Sequence, residues 1–463
     1  MNRFDLIIRK GTVVLQDECR QLDIGIRDGK IAALGDNFVY SEQTPVYDAE
    51  GLIVLPGMID AHVHLNEPAL GHWEGFLTGS ASLAAGGCTT YIDMPLNGVP
   101  PTVRLSALEL KLEAAEGQSH VDYALWGGLV PGNISELEGL AQAGVIGFKA
   151  FMSCPGGEGE DIFTEVDDET LFKGMVEIAR LGLVLALHAE SEEIVSKLAA
   201  EAAQAGKRSA LDFIATRPIA AEVEAVNRAL GYAKQTGCKL HFVHISSAEA
   251  VQVITEAKAG GLDVTVETCP HYLALTDTEV ENLGPLAKCA PPIRTVEDQA
   301  QLWEELKAGR FDIIASDHSP SPKHMKQGDF FAAWGGISGA QSSLELMLHE
   351  GHLRRGIPLT EIARMLALTP AKRFGLYPRK GEITIGADAD LALVDLAARY
   401  TLQESDLLYR HKQSPYVGKM FDCSVKTTFL RGVQVYERGV GVGTTLDGAW
   451  LRHNASIGGE LDG

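Results

Sequence analysis

The pair His62 and His64 is the clearest chemical signal in this chain of 463 residues. The two histidines close an apolar run that begins at Val54. In a β-strand, residues i and i+2 point to the same side, so both imidazoles can converge on one point. Neutral imidazole nitrogens are common metal ligands. The pattern therefore predicts that this strand ends at a metal site.

Later apolar runs also end at or near side chains that bind metals, and these are Lys149, His188, His244 and Asp317. A single histidine on a strand is more often a core residue, but four of the 14 histidines belong to this ordered set. Barrel enzymes gather their catalytic groups at the C-terminal ends of the strands. The set predicts a metal site at that end of a barrel. His241, three residues before His244, is expected on the opposite strand face and is excluded as a ligand.

Lys149 is the unusual member, because it interrupts the apolar run from Val145 to Met152. A buried lysine needs a partner or must lose its proton. A neutral amine can add carbon dioxide to give a carbamate, whose anionic oxygens can bridge two cations. The alternative is a lysine whose amine reaches solvent at the strand end. Beside four histidines and an aspartate, the carbamate is the favoured interpretation.

Near-continuous apolar runs recur between longer amphipathic stretches, as is typical of parallel strands buried on both faces. The runs cover residues 53–65, 89–95, 121–130, 145–152, 183–190, 239–246, 262–270 and 311–320. Intervening segments such as 168–181 and 221–234 have helical patterns. Eight such units predict an α/β fold, a (β/α)8 barrel. An open doubly wound sheet is the alternative, and the lack of GxGxxG after the first strand weakens its nucleotide-binding version.

The two outer parts of the chain differ from the middle, because both contain short strands separated by glycine turns. Neither set is large enough to form a sheet with its own core. They are expected to pair as one small β-sandwich domain. The predicted organisation is residues 1–54 and 380–463 in a composite β domain and residues 55–379 in the barrel.

Composition excludes some classes of partner. The formal net charge is −22 and the pI is near 5.1, which argues against nucleic acid or an anionic membrane as a partner. No apolar stretch reaches the roughly 18 residues of a membrane helix, and the N-terminus lacks a signal-peptide core. Seven cysteines without a CxxC pair fit reduced thiols. The protein is therefore expected in the cytoplasm.

The order HxH, Lys, His, His, Asp resembles the amidohydrolase superfamily, in its cyclic-amide branch of dihydroorotases, hydantoinases and allantoinases. The resemblance spans nearly the whole chain and includes the stretches 56–62 and 315–320. Longer local stretches are similar to the allantoinases, and they cover residues 72–79, 93–97, 333–337 and 409–416. This resemblance implies hydrolysis of a cyclic amide, with allantoin as the expected substrate and a homotetramer as the expected assembly.

The resemblance also implies a metal centre and a mechanism. One divalent ion is held by His62, His64 and Asp317, a second by His188 and His244, and carboxylated Lys149 bridges the two. The expected metal is zinc, with cobalt or manganese as alternatives. The ions share a hydroxide that attacks the ring carbonyl, and Asp317 carries its proton to the leaving nitrogen. Asn97 and Ser319 are candidate substrate contacts, with loop capping as their alternative.

Three positions depart from the sister families. Asn66 stands where dihydroorotases carry an arginine that binds the substrate carboxylate, and Ala290 stands where they carry an asparagine. Cys154 stands where hydantoinases carry a tyrosine that polarises the scissile carbonyl. A hydantoinase or dihydropyrimidinase remains the alternative enzyme, and a non-catalytic scaffold relative is the alternative of another class. The glycine-rich loop 153–162 is either a lid over the site or a plain surface loop.

Overall fold

The computed structural model of the protein describes residues 4–36, 38–157 and 161–453. The strands are β1 Leu6–Val14, β2 Cys19–Arg27, β3 Lys30–Gly35, β4 Val46–Asp48, β5 Ile53–Pro56, β6 Met58–Val63, β7 Cys88–Asp93, β8 Asp122–Leu125, β9 Gly127–Gly128, β10 Phe148–Phe151, β11 Val184–His188, β12 Lys239–Phe242, β13 Val264–Thr268, β14 Ile313–Ile314, β15 Leu391–Asp395, β16 Tyr400–Thr401, β17 Met420–Phe421, β18 Ser424–Leu430, β19 Val433–Glu437 and β20 Gly441–Val442.

The α-helices lie mostly between the middle strands. They are α1 Phe76–Ala85, α2 Leu105–Ala115, α3 Leu137–Ala143, α4 Asp168–Arg180, α5 Glu192–Gln204, α6 Ala210–Ala215, α7 Ile219–Thr236, α8 Ala248–Ala259, α9 Pro270–Ala274, α10 Asp277–Leu283, α11 Val296–Lys307, α12 Ser343–Leu346, α13 Leu359–Ala363 and α14 Thr369–Arg373. The segments Met347–Leu353 and Arg364–Leu368 are π-helical.

A nine-stranded sheet contains strands from both outer parts of the chain, which confirms the predicted sheet domain. Its order is β20-β19-β18-β15-β5-β1-β2-β3, with β4 paired to β1. The two parts meet where β5 pairs antiparallel with β15. Ile24 and Ile26 on one side and Leu393 and Phe429 on the other bury a common apolar core. The sequence predicted a β-sandwich around this core. The structure instead has one continuous sheet that encloses it.

All eight apolar runs of the middle segment contain strands of a parallel α/β barrel. Strands β6, β7 and β8 form one arc, and β9 to β14 form a second arc. Two backbone hydrogen bonds join the arcs, from Ile146 N to Leu125 O at 2.9 Å and from His64 N to His318 O at 2.8 Å. The eight units thus follow one another around a ring, and the (β/α)8 fold predicted from periodicity is confirmed.

The first apolar run, residues 53–65, contributes to both sheets. Its first half is β5 of the nine-stranded sheet, and its second half is β6 of the barrel. The break falls at Gly57, where a Cβ atom would lie only 2.1 Å from Thr89 Oγ1. No larger residue fits at this close approach, because the separation is far below van der Waals contact.

Helix α4 shows how the amphipathic segments cover the barrel. The Asp167 side chain caps its N-terminus by accepting a hydrogen bond from Thr170 N at 2.7 Å. Leu171, Met175 and Ile178 are buried, and their spacing of four and three residues places them on one helix face. That face packs towards β11 and fixes the barrel wall from which His188 projects.

A buried charge cluster connects the nine-stranded sheet to the barrel. Lys380 Nζ lies 2.6 Å from Asp122 on β8, 3.0 Å from Asp388 and 2.5 Å from Asp390. Arg431 also pairs with Asp122. The three carboxylates are close enough to hold a metal ion, but Lys380 already supplies the positive charge between them. The cluster is therefore a structural link.

Candidate active site

The site lies at the C-terminal ends of the barrel strands, as predicted. Lys149 is within β10, His188 is the last residue of β11, and Asp317 follows β14 by three residues. His244 and Asp317 have positive φ angles of 41° and 46°. Such angles are uncommon for residues other than glycine and concentrate at functional sites. They turn both side chains away from the alternation of the strand that precedes them.

His62, His64 and Asp317 form the first cluster. The Nε2 atoms of His62 and His64 lie 3.2 Å and 3.3 Å from Asp317 Oδ1. All three residues are at least nine-tenths buried. Burial, followed by the charge of Lys149, holds the pKa of His62 well below its ordinary value. His62 is thus a neutral imidazole near pH 7, which is the form that binds metals.

His188 and His244 form the second cluster. His188 Nδ1 lies 3.1 Å from His244 Nε2, and His188 Nε2 lies 2.8 Å from Glu190 Oε2. Burial raises the pKa of Glu190, but the charge of Arg217 and the His188 hydrogen bond outweigh it and hold the pKa at about 2. The ionised Glu190 accepts the Nε2 proton of His188. This leaves the Nδ1 lone pair of His188 directed towards His244.

Lys149 lies among these groups without a hydrogen-bonding partner. Its Nζ is fully buried and finds no acceptor in the described part of the chain. Burial lowers the pKa of Lys149 to about 7, against the opposing charges of Asp317 and Glu267. A buried polar group without a partner is rare in native proteins. A substantial fraction of the amine is therefore neutral near pH 7, and this neutral form has an unused lone pair.

The donor set fits divalent metal ions. Nitrogen and carboxylate ligands of His62, His64 and Asp317 approach one another within 4.8 Å, and the His188 and His244 nitrogens converge nearby. The His62 and His244 rings are 5.4 Å apart between centroids, so the two clusters are neighbours. His64 Nδ1, His244 Nδ1 and Lys149 Nζ have no partners among the described residues. The side chains named by the sequence pattern are thus brought together as a metal centre requires.

Glu267 is a functional residue that the sequence pattern did not reveal. Its Oε1 accepts from His62 Nδ1 at 3.0 Å and from His244 N at 3.3 Å. Its Oε2 accepts from His241 Nε2 at 3.0 Å, so His241 acts on the site through Glu267. A carboxylate on the second nitrogen of a ligand histidine fixes its tautomer and ring orientation. The sequence feature that could have identified Glu267 is its position as a charged residue inside the apolar strand 264–268.

A cavity of about 360 Å³ opens over the two clusters. Both candidate substrate contacts, Asn97 and Ser319, line this cavity, as do Cys154 and Ala290. Asn66 instead turns its amide towards Pro320 O, at 3.3 Å. Residues 154–156 of the loop 153–162 line the cavity, whereas residues 158–160 of that loop lie outside the described residues. The volume suits a small ring compound.

The family of the chain follows from comparison with known proteins. The model of the amidohydrolase family matches residues 53–435. This range covers most of the chain, including the barrel and all the candidate metal ligands. The protein therefore belongs to the amidohydrolase family. The resemblance inferred from the HxH, Lys, His, His, Asp order is confirmed.

Individual members of the family show which known proteins this chain is similar to in sequence and in structure. The allantoinase of Rubrobacter xylanophilus is 49% identical over 440 residues, which are 95% of this chain and 96% of that protein. The allantoinase of Deinococcus radiodurans is 49% identical over 442 residues, 95% of this chain and 97% of that protein. A solved structure, the L-hydantoinase (dihydropyrimidinase) from Arthrobacter aurescens, is similar with a TM-score of 0.93 and 36% identity, covering 97% of this chain and 100% of that chain.

Proposed function

We propose that the protein hydrolyses the hydantoin ring of allantoin to give allantoate, the activity of an allantoinase. The identity of 49% over 95% of the chain to proteins that bear this name is the observation that carries the proposal. The cavity supports it, because Cys154 and Ala290 take the place of side chains used by the sister families. The reaction adds water to one ring amide: a new C–O bond forms, the ring C–N bond breaks, and a carboxylate and a ureido nitrogen result.

In this proposal, the two clusters hold two divalent ions, zinc or else cobalt or manganese. The ligands are His62, His64 and Asp317 for one ion, His188 and His244 for the other, and carboxylated Lys149 between them. When bound, the ions supply positive charge that acidifies water and polarises the ring carbonyl. Glu267 and Glu190 fix the tautomers of His62 and His188, which leaves the other ring nitrogen of each histidine able to bind a metal ion.

Lys149 gains its carboxylate by reaction with carbon dioxide. The neutral amine nitrogen attacks the carbon, a C–N bond forms as one C=O π bond breaks, the released electron pair becomes the carboxylate charge, and the N–H proton leaves to solvent. Two properties of Lys149 favour this step, namely its pKa of about 7 and its fully buried, unpartnered Nζ. The carbamate supplies the anionic oxygens that a group of neutral imidazoles lacks.

Asp317 carries the proton in the proposed mechanism. It accepts the proton of the attacking water and returns it to the leaving ring nitrogen. Its positive φ and its position between His62 and His64 direct one carboxylate oxygen towards the ligands. The second oxygen remains available to the substrate. Asn97 and Ser319, which both line the cavity, hydrogen-bond the ring or the ureido arm.

A hydantoinase is the second candidate, and the TM-score of 0.93 to the Arthrobacter enzyme favours it. A panel of allantoin, hydantoin, dihydrouracil and dihydroorotate separates the candidates. We expect kcat/KM for allantoin to exceed the others by orders of magnitude, since polar groups matched to the ureido arm stay unpaired with a ring that lacks it. Comparable values for hydantoin would favour the second candidate. Absence of bound metal and of any turnover would favour the scaffold relative.

Three further proposals rest on the family resemblance and the chain pattern. The protein is a homotetramer, it resides in the cytoplasm, and its domains divide at residues 54/55 and 379/380. Within the described residues, no helix combines the length and the apolar character needed to cross a membrane. Light scattering at working concentration tests the assembly, and a monomer would contradict it.

A further inference from the structure

The segment Phe331–Gly336 forms one wall of the cavity, and we call it the cavity loop. Two lysines from outside the loop, Lys288 and Lys326, bind its backbone carbonyls. We propose that these lysines are positioning residues, which hold the cavity loop in the shape that binds the substrate. This inference rests on the proposed function for its substrate, but the loop contacts stand without it.

Lys288 binds the first half of the cavity loop. Its Nζ donates to Phe331 O at 3.0 Å and to Ala333 O at 2.6 Å. The ammonium also lies 4.7 Å from the centre of the Phe213 ring, a favourable position for a cation. The backbone of Lys288 continues the attachment, because Lys288 O accepts from Gly336 N at 2.7 Å. Side chain and backbone of one residue thus reach both ends of the loop.

Lys326 binds the second half. Its Nζ donates to Trp334 O at 3.0 Å and to Gly336 O at 2.5 Å. Within the described residues, neither Lys326 nor Lys288 lies within 4.0 Å of a carboxylate. Both amines therefore donate to carbonyls of the loop. Burial lowers the pKa of Lys326 to about 7 and that of Lys288 to about 8, and an amine keeps at least two N–H donors whether it is charged or neutral. The four hydrogen bonds therefore hold the loop shape in either protonation state.

The loop shape reaches Ser319, the candidate substrate contact. Gly336 has a φ of 117° and packs so closely that a Cβ atom would lie 2.3 Å from Ser319 O. Ser319 N also donates to Ile337 O at 3.0 Å. A shift of Gly336 would therefore move Ser319 and one cavity wall together. Lys149 and the four histidines of the site belong to other strands, and only Asp317 shares the segment after β14 with Ser319.

Other contacts keep the loop attached when one lysine is removed. Asp329 pairs with Arg208 at 2.6 Å, and the Trp334 ring packs edge-on against Trp73 with 5.0 Å between centroids. These contacts involve side chains rather than the carbonyls of the loop. Loss of a lysine is thus expected to loosen the local backbone without unfolding the barrel.

The test compares Lys326→Met and Lys288→Met with the wild-type holoenzyme and with Lys323→Met. Lys323 is a matched control, because it lies three residues from Lys326, its side chain is 56% exposed, and its acidic neighbour Glu404 is 3.8 Å away. Hydrogen exchange of peptides covering the cavity loop is measured first, and KM and kcat for allantoin second. For Lys326→Met and Lys288→Met, we expect exchange and KM to rise about tenfold, with kcat within about threefold of wild type. The Lys323→Met protein stays at wild-type values.

The outcomes separate the inference from alternatives. Unchanged loop exchange in both variants would overturn it, and so would faster exchange with an unchanged KM. A lower kcat at constant KM would assign the lysines to the chemistry and also contradict a positioning role. If Lys288→Met does not fold, the partly exposed Lys326 decides the matter alone. If the wild-type protein does not turn over allantoin, the proposed function fails; loop exchange and the KM of whichever cyclic amide is hydrolysed still test the lysines.

Discussion

Replacement of Glu267 by glutamine tests how the metal-type histidines are held. The carboxylate accepts hydrogen bonds from His62 Nδ1 at 3.0 Å, from His241 Nε2 at 3.0 Å and from His244 N at 3.3 Å. A glutamine amide is nearly isosteric, so the packing is retained. Its oxygen can still accept from His62, while its NH2 group must face His241 and donate. The substitution therefore removes the charge and leaves the shape.

The structure sets the expected size of the effect. Bonds to a charged acceptor contribute about 1 kcal/mol more than neutral ones, and two imidazole bonds lose this difference in Glu267→Gln. The resulting loss is about 2 kcal/mol, or roughly 30-fold in metal affinity. This loss lies within the roughly 10- to 100-fold decrease in metal affinity that follows when such carboxylates are replaced at other metal sites. The fully loaded variant should keep most of its kcat.

The assay is a zinc titration in competition with a chromophoric chelator. Burial raises the pKa of Glu267 to about 8, so a buffer at about pH 9 ensures that the wild-type carboxylate is ionised. Glu305→Gln is the control, since Glu305 is also buried but lies on α11 and pairs with Arg310. A Glu267→Gln affinity within about threefold of wild type, or an equal loss in Glu305→Gln, would refute the reasoning.

Three further predictions concern single residues. Lys149 should carry a carbamate in the metal-loaded protein, visible as a labelled carbonyl carbon by NMR after exposure to ¹³CO2; its absence from fully loaded protein would contradict the bridge. Asp317→Asn should lose nearly all kcat while it keeps its far-UV spectrum, and near-normal kcat in a metal-replete sample would remove Asp317 as the proton carrier. Lys380→Met should lower the free energy of unfolding by about 3–5 kcal/mol, because the buried Asp390 loses the lysine with which it pairs. Denaturant unfolding of Lys380→Met is compared with that of wild type and of the control Lys372→Met, in which an exposed lysine is replaced. A free energy of unfolding for Lys380→Met equal to that of the control would refute the prediction.

Much of the site was predictable because side-chain types recur in a fixed order at strand ends. Strand geometry brings His62 and His64 together, and barrel topology adds Lys149 and Asp317. His244 was also predicted, although its φ of 41° lies outside strand geometry. Its position two residues after the end of β12 sufficed for the prediction, although the positive φ, which turns the side chain out of the strand alternation, could not be read from the sequence.

Other features were not predictable, since they depend on which strands become neighbours in space. Glu267 lies 23 residues from His244 and 205 residues from His62 along the chain, and only the barrel brings it to His62. Lys288 and Lys326 bind main-chain oxygens, which leave no trace in a side-chain pattern. The break at Gly57 within the first apolar run depends on Thr89, a contact invisible to periodicity.

The pairing of β5 with β15 has a consequence for synthesis on the ribosome. More than 300 residues separate Pro56 from its partner Leu391, and the whole barrel is translated between them. At about 5–20 residues per second, β5 waits tens of seconds with an unpaired edge. An open strand edge is a template for pairing with other chains. Nascent chains are therefore most prone to aggregate during this interval, and a chaperone that covers the edge of β5 would raise the yield of folded protein.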